Sequence, residues 1–367
     1  MSTKKHKFTL KDKSYMEIAL DLARSRHGLT GSNPSVGCVI VKNDKIISIG
    51  QTSFNGRPHA ESNAIKNSFE DLKDSKMYVT LEPCCHHGLT PPCTDLIIKS
   101  KISEVIYSVT DIDKRVSNKS FKILNSKKII VKKGLLKNKI ESFYYPYFFN
   151  RKKKLPYVTG KIAISKNNII YSKYQKKITN IYSDQFTHLL RYQNDGLMIT
   201  YKTLNKDNPR LNCRLKGIKN FSPKRIILDN NLNTRTNSYI IKSSNNKNTL
   251  IFYNRADKKK ISKFKRKGII LIKSKVDRHN RFEMREILKK LYNFGCRNLL
   301  IEGGNDLTNS LIKNKIFNKF YLFKSPKNLS KRSEYLKFSG LNTLNQKYQT
   351  KINLNLNLRK DRITLYR

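Results

Sequence analysis

The sequence contains no tryptophan and few acids: 26 Asp and Glu stand against 76 Lys and Arg in 367 residues, a formal net charge of +50. Such a basic excess ordinarily points to nucleic acid or an anionic membrane surface. A binding surface of that kind needs its cations in a run or on one face. Here lysines are scattered from Lys4 to Lys360 among many asparagines and isoleucines, as an AT-rich coding bias produces, and the best run is only Arg151 to Lys154. Nucleic acid is therefore not the expected partner. Cysteine is also scarce, with six unevenly spaced residues, which excludes a secreted disulfide framework and favours a reduced compartment. No apolar run reaches the ~18 residues of a membrane span. The charged start "MSTKKHKFTLKDKS" has no apolar stretch after it, as a signal peptide would require. The cytoplasm is the expected location, and no membrane partner is expected.

What is present fits packed α/β domains. The length suits two domains of about 100 to 200 residues each, and 38% hydrophobic content can fill their cores. Ser14 and Glu17 read as a capping box before a helix whose Met16, Ala19, Leu20 and Ala23 recur at helical spacing up to Gly28. "VGCVIVKNDKIISIG" reads as two strands around an Asn43-Asp44 turn, "HAESNAIKNSF" as a helix, and "KMYVTLE" as a strand. "CTDLIIKSK" and "EVIYSVTD" continue the alternation of helix and strand. The aromatic "FYYPYFFN" and basic "RKKK" read as a linker with a boundary near Asn150, giving domains over 1–147 and 148–367. The second part offers the short apolar runs "PYVTGKIAIS", "DGLMIT", "KRIILD", "NTLIFY", "GIILIK" and "RNLLIEGG". A helix "FEMREILKKLYNFG" stops at Gly295, and the C-terminal "INLNLNLRKDRITLYR" alternates like an edge hairpin. No internal repeat is visible.

Half of the cysteines fall in "TLEPCCHHGLTPPC", residues 80 to 93, about twenty residues after "PHAES". His59, Cys84 and Cys93 make three zinc donors with one position left for water, the pattern of a catalytic rather than a closed structural zinc. The pairing of "HAE" with a later "PC" matches the zinc-deaminase signature, in which the glutamate, here Glu61, is the proton-transfer group and not a ligand. The eight residues between Cys84 and Cys93 are an enlarged spacing. His59 opens one helix and Cys93 another, and helix starts favour thiolate over thiol. Against this stands a structural zinc knot, closed by Cys85, His86 or His87.

These residues resemble the bifunctional deaminase/reductase family of riboflavin biosynthesis. The stretches "NPSVGCVIVKNDKI", "PHAE" and "YVTLEPCCHHGLTPPC" are similar to its deaminase motifs over residues 14 to 113. The resemblance implies a cytidine-deaminase-like three-layer α/β domain that hydrolytically removes an amino group from a diaminopyrimidinone ribosylamine phosphate. Zinc would be held by His59, Cys84 and Cys93, with Glu61 catalytic and Asn33 and His86 touching substrate. Leu89 departs from a position where a basic residue is usual, and "DIDKRVSNKS" from a glycine-containing segment.

The second half resembles the family's dihydrofolate-reductase-like α/β domain, in which NADPH reduces the ribose to a ribityl chain. "HLLRYQNDGLMITYKTLNKDNPRLNCR" and "IEGGNDLTNSLI" carry that likeness. It implies that Arg191, Leu211, Arg214 and Glu302 contact substrate, while Ala163, Thr203, Asp207, Gly303 and Gly304 lie by the cofactor. Asn167 and Asn168 replace an acid and a glycine of the family pattern, and Gln175 and Lys177 replace a serine and a tryptophan. The implied cofactors are Zn2+ and NADPH, the implied ligand a phosphorylated pyrimidine, and the pattern allows a homo-oligomer. Two alternatives accompany this reading: a deaminase with an inactive reductase-like domain, and a tRNA base deaminase. A non-catalytic zinc scaffold is a third.

Overall fold

A computed structural model describes residues 6–175, 177–245, 248–332 and 334–367. The first five residues, including Lys4, which enter the reading of the charged N-terminus, lie outside the described residues. The chain divides into two units, Met1–Lys154 and Leu155–Arg367.

The first unit runs α1 (Leu10–Ser25), β1 (Gly37–Lys42), β2 (Lys45–Gln51), α2 (Ala60–Lys66), β3 (Lys76–Leu81), α3 (Cys93–Lys99), β4 (Glu104–Val109), α4 (Lys119–Ser126), β5 (Ile130–Lys133) and α5 (Lys137–Lys153). Its five-stranded sheet has the order β2-β1-β3-β4-β5. β1 is antiparallel to β2 and β3, whereas β3, β4 and β5 are parallel. The hairpin turn places Asn43 and Asp44 at φ 49° and 60°, the left-handed backbone that a two-residue turn matched to strand twist demands.

Helix α1 buries Met16, Ala19, Leu20 and Ala23, as its periodicity predicts. Its cap differs from the expected Ser14–Glu17 box. Thr9 Oγ1 accepts from the Asp12 N–H at 3.1 Å while Thr9 N–H donates to Asp12 Oδ2 at 2.7 Å, so the helix starts a turn earlier. Ser14 lies inside it, its hydroxyl turned back to the Leu10 carbonyl. The segment read as a linker is also helical. "FYYPYFFNRKK" forms the later part of α5, which runs unbroken past Asn150 because Ile140, Tyr144 and Phe148, four residues apart, are all buried. Pro146 inside the helix and aromatic residues on its outer side hide this spacing in the sequence.

The second unit contains β6 (Tyr157–Ile164), β7 (Ile169–Ser172), α6 (Ile181–Tyr192), β8 (Gly196–Thr200), α7 (Tyr201–Asp207), β9 (Lys224–Leu228), α8 (Tyr239–Lys242), β10 (Thr249–Tyr253), α9 (Lys258–Arg266), β11 (Ile270–Lys273), α10 (Met284–Asn293), β12 (Asn298–Ile301), α11 (Asn305–Lys313), β13 (Lys319–Lys324), β14 (Tyr335–Lys337), α12 (Leu341–Lys347), β15 (Lys351–Asn353) and β16 (Arg362–Tyr366). The main sheet has the order β11-β10-β9-β8-β12-β6-β13-β16-β15. It is parallel from β11 to β13 and becomes antiparallel at β16 and β15. The expected C-terminal hairpin is therefore half interior, since β16 lies between β13 and β15. Gly295 takes φ 92° just past α10, the stop its position predicts. Among the described residues, no helix is long and apolar enough to cross a membrane.

Close packing in the first unit depends on Gly50. A Cβ there would fall inside contact distance of the Ala60 carbonyl oxygen and the Ala64 nitrogen, and 2.9 Å from the Ala64 Cβ. Helix α2 can lie against β2 only because that side chain is missing. Gly50→Ala is expected to destabilise the protein by roughly 1–3 kcal/mol, as overpacking does, and to lower zinc content by displacing α2. Denaturant unfolding and metal analysis check this; an unchanged midpoint with full metal content would contradict it.

Candidate active sites

In the first unit, two helix starts and one loop meet. His59 is the residue before α2, Cys93 is the first residue of α3, and Cys84 lies in the loop after β3. The His59 Nδ1 stands 3.5 Å from both the Cys84 and Cys93 sulfurs, and the three donor atoms lie within 4.8 Å of one another. Tetrahedral zinc with ordinary Zn–N and Zn–S bonds requires an N···S edge of about 3.6 Å. The donor set therefore fits zinc without rearrangement. Cys85, His86 and His87 do not join the cluster, so the fourth donor of a structural knot is not supplied from among the described residues.

The electrostatics follow from this crowding. Cys84 receives the Cys93 backbone N–H at 3.3 Å. The bond from the Cys93 thiol above all, then His59 and this N–H, bring the Cys84 thiol down to about 4 against its burial. Cys93, left as the donor of the pair, is pushed up by that bond and by burial, and the bond to Cys84 raises His59. Glu61 sits in the first turn of α2, only 4% exposed. Burial pushes its carboxyl up to about 7 although the His59 charge opposes it. Its carboxylate is not part of the three-donor cluster.

Asn33 Nδ2 donates to the Gly56 carbonyl at 2.9 Å, which ties it to the turn leading into His59. His86 lies in the loop between the two cysteine donors, with a buried Nδ1 that has no partner, and Leu89 is 88% exposed at the tip. The motif's other acid, Glu82, is structural. It accepts the Asp111 and Asn118 N–H groups at 3.3 and 3.1 Å and the Ser120 hydroxyl at 2.5 Å. That anchor shapes the "DIDKRVSNKS" loop, where Asp113 pairs with Arg115 at 2.6 Å.

The second unit holds a cavity of about 1310 Å³. Arg191 from α6 grips Glu302 at the end of β12 through two bonds, Nε to Oε1 at 2.8 Å and Nη2 to Oε2 at 2.9 Å. The side chains are 12% and 15% exposed. Burial alone would raise Glu302, but the charges of Arg191 and Lys161 hold it down at about 2. Leu211 lines the same cavity in the left-handed region at φ 49°. Arg214 does not line it; this exposed residue donates to Asn212 Oδ1 at 2.9 Å.

Ala163, Thr203, Asp207, Gly303 and Gly304 all line the cavity. Gly304 immediately precedes α11, and a Cβ on it would stand 3.6 Å from Thr203 Oγ1. The missing side chain opens the helix start to a phosphate, the usual recipe for an anion site. Asn167 and Asn168 instead build the β6–β7 turn. Asn167 bonds Leu329 in both directions at 2.9 and 3.1 Å, and Asn168 takes φ 61°. Gln175 accepts the Ser330 N–H at 3.1 Å, and Lys177 pairs with Asp184 at 3.1 Å. None of these four lines the cavity.

Two residues escaped the reading of the sequence. Lys161 points into the cavity from β6, its nitrogen 4.8 Å from the Phe323 ring centroid; burial lowers it while Glu302 opposes the shift. A lysine in the middle of "VTGKIAIS" is the one charge in a mostly buried strand, and that was the available signal. His188, one turn before Arg191, donates from Nδ1 to the Asn212 carbonyl at 3.1 Å, and Arg191 Nη1 donates to the same oxygen at 3.3 Å. Burial with Arg191 and Arg214 nearby pushes His188 down to about 4, so its ring is neutral.

Comparison with known proteins accounts for both units. The profile of the RibD C-terminal domain matches residues 156–362, and that of the cytidine and deoxycytidylate deaminase zinc-binding region matches residues 9–109. The riboflavin biosynthesis protein RibD of Actinobacillus pleuropneumoniae is 35% identical over 321 residues, 87% of this chain and 85% of that protein. A solved structure of Acinetobacter baumannii RibD has the same fold, with a TM-score of 0.83 at 24% identity, covering 97% of this chain and 98% of that one. A diaminohydroxyphosphoribosylaminopyrimidine deaminase/5-amino-6-(5-phosphoribosylamino)uracil reductase from Thermotoga maritima superposes with a TM-score of 0.80 at 26% identity, over 97% and 98% of the two chains. With both profiles in order and kinship running through most of its length, the chain belongs to the RibD family of riboflavin biosynthesis proteins.

Proposed function

We propose that the two sites act in turn on one phosphorylated pyrimidine, the first removing an amino group by hydrolysis and the second reducing the ribosyl group to ribityl. The chain is a deaminase/reductase of riboflavin biosynthesis, with zinc and NADPH as its cofactors. The observation that carries the residue assignment is the three-donor face of His59, Cys84 and Cys93 with the Glu61 carboxyl held beside it but outside the donor set. His59, Cys84 and Cys93 would hold zinc there, and the metal would supply Lewis-acid activation of a water. The Glu61 carboxyl would take up the protons of the attacking water, passing one to the pyrimidine ring nitrogen and one to the departing ammonia, the exchange that general acid–base catalysis asks of one positioned group. Asn33 and His86 orient the pyrimidine from the turn before His59 and from the cysteine loop.

In the second unit, Arg191 and Glu302 fix one another and present their remaining edges to the substrate, with Lys161 beside them. Gly303, Gly304 and Thr203 receive a phosphate of NADPH at the start of α11, where unpaired N–H groups favour an anion. An active reductase is supported over an inactive remnant because Asn167, Asn168, Gln175 and Lys177 lie away from the cavity lining. The departures from the family pattern then change the surrounding scaffold and not the lining.

A coupled assay tests both halves. The zinc-loaded chain, given the diaminopyrimidinone ribosylamine phosphate and NADPH, is expected to release ammonia and then consume NADPH. Ammonia without NADPH loss would remove the reductase reading. Cys93→Ser is expected to lower both bound zinc and ammonia release, whereas Glu61→Gln keeps the metal and slows turnover by about 100-fold or more. Full metal occupancy in Cys93→Ser would contradict the ligand assignment. Glu302→Gln leaves Arg191 and Lys161 without their shared anion and is expected to cut NADPH oxidation by at least about 10-fold. Ammonia release in that variant should persist, and its parallel loss would contradict separate sites.

A further inference from the structure

The loop joining Cys84 to Cys93 forms one wall of the first site, yet its exposed tip is the uncharged Leu89. Of its histidines, His87 faces Asp95 at 4.0 Å. Positive charge reaches this loop from outside it. Arg57, two residues before His59, extends across and donates from Nη1 to Thr90 Oγ1 at 2.7 Å. Gly88 lies beside it: a Cβ there would stand in ordinary contact, 3.6 Å from Arg57 Nη2 and 4.0 Å from His86 Nε2. Arg57 is partly buried. Among the described residues it enters no ion pair.

A guanidinium carries five donors and no acceptor, and one of them is engaged here. A planar cation without a counter-ion, partly withdrawn from water beside a glycine, is suited to a bidentate oxyanion. We propose that Arg57, with the Thr90 hydroxyl, forms the subsite for the phosphate monoester of the deaminase substrate. The proposal rests on the reading of the first site as a deaminase of a phosphorylated pyrimidine. It assigns selectivity for the phosphorylated substrate to a residue outside the cysteine loop.

The test compares ammonia release from the diaminopyrimidinone ribosylamine phosphate and from its dephosphorylated counterpart, using the zinc-loaded full chain. Arg57→Gln retains a group able to reach Thr90, so a residue that merely anchors the loop would tolerate it. The expected result is a KM for the phosphorylated substrate raised by about 10- to 100-fold, the worth of a charged hydrogen bond. The kcat should hold within a few-fold, and the preference over the dephosphorylated substrate should shrink by the same factor. Arg57→Lys should recover part of that preference, and zinc content should match wild type in both variants. Equal losses on the two substrates, an unchanged KM, or a fall in kcat accompanied by loss of zinc would overturn the proposal. A wild-type chain that releases ammonia from neither substrate would instead remove the deaminase reading, and the subsite with it.

Discussion

Two helices that begin at one point hold the first site in place. The chain enters α2 at His59 and α3 at Cys93, and the loop leaving β3 brings Cys84 between them. Each terminus carries unpaired N–H groups and a positive end of the helix dipole, which favour negative charge nearby. The Cys93 N–H is spent on the Cys84 sulfur, so one donor residue stabilises the thiolate of the other. The rest of the unit follows from keeping those starts together. Gly50 lets α2 sit on the sheet, and the buried Glu82 ties the end of β3 to the segment before α4. Because the donors sit at helix starts and not on free loops, their spacing is set by the packing of the sheet, which is how a site is held to sub-ångström tolerance.

The second unit solves a different problem, that of keeping charge inside a cavity. A buried ion pair seldom adds much stability, because removing both charges from water offsets their attraction. Arg191 and Glu302 are nonetheless kept together with two well-aligned bonds, and Lys161 stands beside them. Asp184 adds a second carboxylate felt by both cations, so the cluster is compensated within the wall and its charges are held in fixed places. His188, held neutral by burial and the nearby arginines, adds no further charge; it shares the Asn212 carbonyl with Arg191 and so steadies the segment that carries Leu211.

Much of this was legible in the sequence, for a chemical reason. Metal donors are rare residue types whose spacing is informative by itself, so His59, Cys84, Cys93 and Glu61 stand out, as do strands bounded by turn residues such as Asn43-Asp44. Features that depend on competition between local signals were less legible. Thr9–Asp12 and Ser14–Glu17 both offer a capping pattern, and only the completed reciprocal bonds decide for the first. Helix α5 was hidden by Pro146 and by aromatic residues on both of its faces, although only the face of Ile140, Tyr144 and Phe148 is buried. Charged residues with tertiary partners, such as Lys161 and Glu82, carry no sequence mark of their own beyond an unexpected placement.

The departures from the family pattern in the second unit show why motif loss and functional loss are separate questions. A position that reads as glycine in a pattern constrains the backbone, and asparagine is among the few other residues that accept the left-handed conformation. Asn168 does so at φ 61°, so asparagine accommodates the turn here. Asn167 bonds the Leu329 backbone from both ends of its amide, which fixes the turn without the charge of an acid. Gln175 and Lys177 likewise spend their polar groups on Ser330 and Asp184. Each substitution is accounted for by a bond within the scaffold, and none withdraws a polar group from the cavity that Arg191, Glu302 and Lys161 line. The positions that make the motif recognisable are therefore not the same as the positions that line the cavity, and the four departures fall among the former while Arg191, Glu302, Lys161, Gly303 and Gly304 are among the latter.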